Sequence, residues 1–334
     1  VPRPELPERQ LVADRARVSH MTVSRVLNGS TSIRESTRER VQQAIEEIGY
    51  RPSNAAREFA TQRSMRIGAI VHSPAHHGPK STLLAIEQAA RGRGYGAASF
   101  SLTSADDDDL ELAVATLQAQ GIEGVCVVGP NRSINSLHEM LDATTPTVVV
   151  GDRGSSATAS GVGIDQADGT NRAMCHLLDK GHRVIMHLSG ALNTDEGKAR
   201  EQQWRAALGS RGLSADHLVV GDWSSDFGYH VGLNYEAIDE VTAVFAANDQ
   251  MALGMIHGLW VRGIRVPGEI SVVGFDDIPE AAHFIPPPTT VRQDIEARGT
   301  AVVDEILALI GRQHRPTQSF IGPELIVRSS TARL

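Results

Sequence analysis

The sequence predicts an α/β protein carrying a small helical head, and three observations lead to that class. Three short amphipathic helices fall within about the first fifty residues. From Ile67 onward, short apolar runs alternate with helical stretches, the pattern of parallel sheets with helices on both faces. Charge divides at the same place. Residues 1–66 hold 12 arginines, no lysine and 8 acids, a surplus of 4 positive charges. The whole chain carries −8, which leaves −12 on the remainder. A basic head on an acidic body suits a nucleic-acid contact confined to the head.

Within the head, the first helix is expected over Glu8–Arg15, with Leu11, Val12 and Arg15–Ala16 at helical spacing. The stretch Val18-Ser-His-Met-Thr-Val-Ser-Arg-Val-Leu-Asn-Gly29 then reads as a turn and a short second helix. Ser19 stands at its N-cap position. Val23 and Val26–Leu27 form the buried stripe, which leaves His20, Met21, Ser24 and Arg25 on the outer face. A third helix is expected over Arg38–Ile48, boxed at its start by Ser36 and Glu39 or by Ser32 and Glu35. Three helices with the second presented outward make a helix-turn-helix, whose second helix enters the DNA major groove. Arginine without lysine suits that role, because its planar fork grips phosphates and guanine edges bidentately. After Pro52, which can start a helix, Ala55, Ala56, Phe59 and Ala60 give one or two turns that are marginal alone in water. Thr61–Arg66 is a polar connector.

In the body, strands are expected at Ile67–Val71, Ala97–Leu102, Gly124–Gly129 and Thr147–Gly151. Helices Pro79–Arg93, Asp106–Gln120 and Ser133–Ala143 lie between them. A second series sets strands Val184–Ser189, His217–Val220, Ala243–Ala247 and Ile270–Phe275 among helices Gly169–Lys180, Glu196–Arg211, Phe227–Ile238 and Asp249–Arg262. A helix over Asp294–Ile310 and one strand around Ser319–Val327 close the chain. Two such lobes in tandem open a cleft at the carboxyl ends of their strands, where ligands of these sheets bind.

Other classes are disfavoured. Cys126 and Cys175 lie in or beside apolar runs and far apart, and read as reduced core residues. No segment has the length and apolarity of a membrane span, so a cytoplasmic protein with no membrane partner is expected. Gly92–Gly96 has the wrong spacing for a dinucleotide loop, and the phosphate-loop pattern is absent. The acidic run Asp106–Asp109 complements a helix N-terminus better than it binds metal. With no nucleophile elbow, metal cluster or closely spaced acid pair, the expectation is no catalytic residue, no metal, no cofactor and no enzyme.

The head motif and four core stretches, Asp222–Ser224, Ala247–Gly254, Ile270–Asp277 and Ile285–Asp294, resemble the lac repressor (LacI/GalR) family of bacterial transcription factors. The resemblance covers essentially the whole chain, and the core stretches lie nearest the branch that gives the family its name. It implies a helix-turn-helix head over residues 1–51, a hinge helix and linker over 52–66, and a two-lobed, periplasmic-binding-protein-like core over 67–334 with parallel sheets. The first lobe would take about 67–164 and 294–322, the second about 165–292 and 323–331. The implied function is a repressor that binds a pseudo-palindromic operator as a homodimer and is released by a small sugar of the galactoside type. Another sugar or a purine corepressor is the alternative within the family. A solute-binding protein of the same two-lobed build is the alternative outside it.

Carried over residue by residue, His20, Met21 and Arg25 hold base-reading positions, while Ser19, Thr22, Ser24 and Asn28 hold phosphates. Ser53, Asn54, Ala56 and Phe59 fall on the hinge helix, which wedges an apolar side chain into the minor groove. Around the effector, Arg200 would clamp two hydroxyls, Asn248, Asp276 and Asp152 would bond others, Gln293 would stand at the crossover between lobes, and Trp223 would cover the apolar face of a sugar ring. The chain departs from the family at Arg17, where a glycine is usual in the turn, at Ser53–Asn54, and at Phe59, where leucine is usual. Arg to guanine is worth roughly 1–3 kcal/mol of discrimination. Arg25→Ala should therefore abolish preference for operator over scrambled DNA in a gel shift; an unchanged preference would remove Arg25 from base reading.

Overall fold

The computed structural model describes residues 8–27, 32–50, 63–72, 76–102, 107–129, 140, 145–151, 159–313 and 315–334. They fall in two compact units, Val1–Met65 and Arg66–Leu334.

The head is built from α1 (Glu8–Ala16), α2 (His20–Leu27) and α3 (Glu35–Ile48) around a small core that includes Val12, Val23, Val41 and Tyr50. Ser19 caps α2: its hydroxyl accepts from the Thr22 N–H at 3.2 Å. Neither expected box starts α3. The helix begins at Glu35, Arg34 holds the cap position without a side-chain bond, and Ser36 lies inside the first turn. The acid at Glu35 favours that earlier start by complementing the helix N-terminus. Gly49 ends α3 at φ 68°, and the Tyr50 N–H closes on the Ile45 carbonyl at 3.0 Å. Arg17, in the turn before α2, takes φ 51°, a left-handed conformation that costs a side chain about 1 kcal/mol.

The second unit holds two six-stranded sheets. Strands β1 (Arg66–His72), β2 (Gly96–Leu102), β3 (Gly124–Val128), β4 (Thr147–Val150), β5 (Ala159–Ile164) and β11 (Gln318–Ile321) form the first, in the order β11-β5-β4-β3-β1-β2. All its pairs are parallel. The second contains β6 (Ile185–Ser189), β7 (Leu218–Val220), β8 (Ala243–Ala246), β9 (Ser271–Asp276), β10 (Thr289–Arg292) and β12 (Glu324–Ile326), in the order β12-β10-β9-β8-β6-β7. Only the β10–β12 pair is antiparallel. Helices α4 (His77–Gly92), α5 (Asp107–Ala119), α6 (Gln166–Asp179), α7 (Asp195–Gly209), α8 (Ser225–Asn234), α9 (Asp249–Val261) and α10 (Ile295–Ile310) connect and cover them.

Most expected elements lie within a few residues of their observed bounds. The single strand expected around Ser319–Val327 is instead two short strands, one in each sheet, broken at Gly322–Pro323. Proline has no N–H with which to continue a ladder. The helix expected to Ile238 ends at Asn234, and a 3-10 turn follows over Glu236–Glu240. Strands β5 and β10 were not expected. β5 reads Ala-Ser-Gly-Val-Gly-Ile, poor in strand formers, yet is buried throughout. Within it, Gly161 leaves the space that the Gln318 side chain fills. The helix expected over residues 133–143 lies, apart from Met140, outside the described residues.

Helices α8 and α9 meet backbone to backbone through glycines on their facing sides. A Cβ at Gly254 would overlap the Ser225 carbonyl, one at Gly228 the Met251 carbonyl, and one at Gly258 would lie 2.8 Å from the Leu233 nitrogen. Overfilling such a contact costs typically 1–3 kcal/mol. Gly254→Ala should lower the unfolding free energy by about 3 kcal/mol in urea titration; a loss below about 1 kcal/mol would show that the helices separate freely.

Candidate functional site

On the head, α2 presents His20, Met21 and Arg25 to solvent, with Met21 63% exposed. Arg25 makes no hydrogen bond or ion pair among the described residues. Ser24 is half-buried, and the Ser19 and Thr22 hydroxyls lie 2.9 Å apart, already engaged with each other. Asn28, Ser53, Asn54, Ala56 and Phe59 lie outside the described residues.

In the second unit, a cavity of about 390 Å³ opens at the carboxyl ends of the strands. One wall comes from the ends of β1, β3 and β4 and the first turns of α4. The other comes from the loop before α7, the Asp222–Trp223 turn and the ends of β8 and β9. Arg200, Trp223, Asn248, Asp276 and Gln293 all line this one cavity. Asp152 lies outside the described residues.

Arg200 is buried, on the stripe of α7 that also buries Trp204 and Leu208. Its Nε donates to Gln166 Oε1 at 2.9 Å, its Nη1 to the Ala247 carbonyl, and its Nη2 stands 3.9 Å from Asp276 Oδ1. The guanidinium stacks 3.8 Å from the Phe275 ring centroid and 5.5 Å from that of Trp223. Gln293 donates to Asp276 Oδ1 at 2.5 Å and accepts from Gln166 at 3.2 Å. Asp276 and Asp277 follow one another at φ 110° and φ 54°. Such a backbone persists only when its surroundings over-determine it. Arg292 and Arg328 grip Asp277 at 2.7 and 2.6 Å while Gln293 holds Asp276.

Asn248 is committed twice. Its Oδ1 caps α9 by accepting from the Met251 N–H at 2.8 Å, and its Nδ2 donates to the Trp223 carbonyl at 2.9 Å. That bond fixes Trp223 at φ 71°, with its indole over Gly190, where no Cβ would fit. The close approach of α8 and α9 fixes the two ends of this bond together, since each helix starts beside one of them.

Burial sets the electrostatics. It pulls the Arg200 guanidinium below its ordinary value, opposed by Asp276, Glu196 and Asp249. Burial also raises Asp276, opposed chiefly by Arg200. Asp249, buried behind the cleft, is raised to about 7 by burial and by the nearby Asp276 charge. Its oxygens accept from the Thr290 hydroxyl at 2.6 Å and the Ile278 N–H at 2.9 Å. Among the described residues no group of three or more His, Cys, Asp or Glu is placed to hold a metal.

Sequence reasoning missed Gln166, Thr82 and Arg298. Arg298 lines the cavity from α10 and is buried, in register with Val302 and Ile306. An arginine on the apolar stripe of a helix was the available signal, and Arg200 carries the same one. His76 and His77 also line the cavity, His77 as the first residue of α4.

The family model described as "Bacterial regulatory proteins, lacI family" matches residues 10–53, and that of the "Periplasmic binding protein-like domain" matches residues 174–331. Over 323 residues, 96% of this chain and 89% of the other, the sequence is 30% identical to the lactose operon repressor of Escherichia coli strain K12. The fold matches the structure of the lac repressor dimer bound to operator and the anti-inducer ONPF with a TM-score of 0.83, at 29% identity, covering 96% of this chain and 98% of that one. It matches a complex of the transcriptional regulator CelR with cellobiose at a TM-score of 0.72 and 30% identity, covering 97% of this chain and all of that one, 100%.

The Asp249 carboxyl yields a pH prediction. A folded value near 7 against an ordinary 3.8 means that the folded chain binds this proton more tightly. Its contribution to stability is therefore present at low pH and is lost as pH rises through that window. The unfolding free energy of the wild type minus that of Asp249→Asn should fall between about pH 4 and pH 8. A flat difference would place the Asp249 proton elsewhere.

Proposed function

Because the chain belongs to the lacI family of bacterial regulatory proteins, we propose that it is a sequence-specific transcriptional repressor that binds a pseudo-palindromic operator as a homodimer and is released by a small sugar of the galactoside type. It acts in the cytoplasm and as a regulator, not as an enzyme. No described helix is long and apolar enough to cross a membrane.

The observation that carries the sugar is the cleft itself. A charged fork, a carboxylate and two amides converge beside an indole face, within a cavity of about 390 Å³. A sugar ring presents paired hydroxyls in its plane and C–H groups on its face, and this cleft complements both. The effector residues are Arg200, Asp276, Gln293, Asn248 and Trp223, with Asp152 joining them from the first lobe. His20, Met21 and Arg25 read bases. Ser19, Thr22, Ser24 and Asn28 set the register on phosphates. Ser53, Asn54, Ala56 and Phe59 engage the minor groove.

Release follows from differential affinity. A ligand gripped by both lobes favours the arrangement in which they close on it, and shifts the dimer away from operator by the difference in its affinity for the two states. The coupling runs through residues 52–66, the segment that links each head to its core.

A gel shift with operator and a panel of galactosides tests this. The wild type should be released by at least one of them. Arg200→Lys keeps the charge and loses the fork, so it should bind operator normally and require roughly tenfold or more ligand for release. A normal response in Arg200→Lys would overturn the effector site. Binding strengthened by a purine base, with no effect of any sugar, would replace induction by corepression.

A further inference from the structure

Among the described residues the cleft holds two buried guanidiniums, and only one of them has a carboxylate within ion-pair reach. Arg200 has a carboxylate, an amide and a carbonyl. Arg298 is 7% exposed, and its Nη2 donates to the neutral Thr82 hydroxyl, which itself donates to the Gly78 carbonyl at 2.7 Å. Its Nε–H is buried without a partner among the described residues. No carboxylate there forms an ion pair with it. Glu196 and Asp276 favour its charge without touching it, and Asp276 is engaged by Gln293 and stands 3.9 Å from Arg200. Glu196 is exposed at the rim, on the first turn of α7.

Arg298 has no route out of the cleft. The following residue, Gly299, packs so closely on α4 that a Cβ would sit 2.6 Å from Ala85. This pins α10 against the face of α4 that carries Thr82, one turn before Ala85. The Thr82–Gly78 bond then orients the fork from behind. A guanidinium cannot shed its proton at neutral pH, and burying it is costly even though Glu196 and Asp276 favour its charge without touching it. A charged, oriented donor on the wall of a ligand cavity, with no carboxylate in direct contact and its Nε–H vacant among the described residues, is complementary to an anion that arrives with the ligand.

We propose that the natural effector is a sugar bearing an oxyanion, a carboxylate or a phosphate ester, and that Arg298, held by Thr82, is the residue that selects it. This rests on the reading of the cleft as a sugar site and narrows it from neutral galactosides to acidic ones. The ring lies against Trp223 with its hydroxyls toward Arg200 and Asp276, and the acid group points at the α4–α10 wall.

Calorimetric titration of the full chain with galactose, galacturonate and galactose 6-phosphate tests it. One of the two acids should bind roughly tenfold to hundredfold more tightly than galactose, and which one does so identifies the carboxylate or the phosphate. Arg298→Met should erase the advantage of that acid over galactose when both are titrated into the same variant. Arg298→Lys should keep a preference for the acid. If Arg298→Met does not fold, Arg298→Gln removes the charge at similar size and should give the same levelling. Equal binding of all three sugars, or an acid preference that survives Arg298→Met or Arg298→Gln, would overturn the proposal while leaving the sugar reading intact. Absence of binding by every sugar would overturn both.

Discussion

The cleft depends on a charge placed where water is scarce. Arg200 reaches from α7 to the end of β9, and the partners that hold it come from three other parts of the chain. Gln166 begins α6, Ala247 follows β8, Asp276 ends β9 and Phe275 precedes it. A buried guanidinium is costly to desolvate, and removing one partner leaves the rest exposed to that cost. The arrangement is therefore satisfied only when these elements sit together. The two consecutive left-handed aspartates, Asp276 and Asp277, are the local expression of this constraint. Four cationic and amide side chains hold a backbone that neither aspartate would choose alone.

A second constraint is steric and lies behind the first. The glycine faces of α8 and α9 let their backbones touch, which brings Trp223 and Asn248, at the starts of these helices, within one hydrogen bond. Gly190 clears the space that the indole occupies. The polar half of the cleft is thus set by charge and the aromatic half by absent side chains. Neither half uses a residue on a long loop, so both are carried on rigid elements, as precise recognition requires.

Much of this was legible in the sequence because it depends on periodicity. Runs such as Val125–Val128 and Val148–Val150 are unbroken apolar segments, which parallel strands buried on both faces must be. Ser19 announced its helix because a cap has a local chemical requirement. What escaped was set by distant partners. β5 is a strand because β4 and β11 flank it, not because Gly161 and Gly163 favour one. The break at Pro323 was visible, but the assignment of its two sides to different sheets was not. In the site, residues at strand ends were found by position, whereas Arg298 and Gln166 sit within helices and draw their significance from what packs against them. Asn248 was legible in both of its possible roles, and the structure assigns its oxygen to the helix cap while its amide nitrogen holds Trp223.

The three tryptophans occupy three different solvent environments. Trp204 is fully enclosed, Trp260 is 73% exposed, and Trp223 lies half-covered on the wall of the cavity. Their emission maxima should separate accordingly, blue for the first and red for the second. Only the third sits where an arriving molecule changes its dielectric surroundings. The chain thus contains its own optical gauge of occupancy, readable in dilute solution without any attached dye.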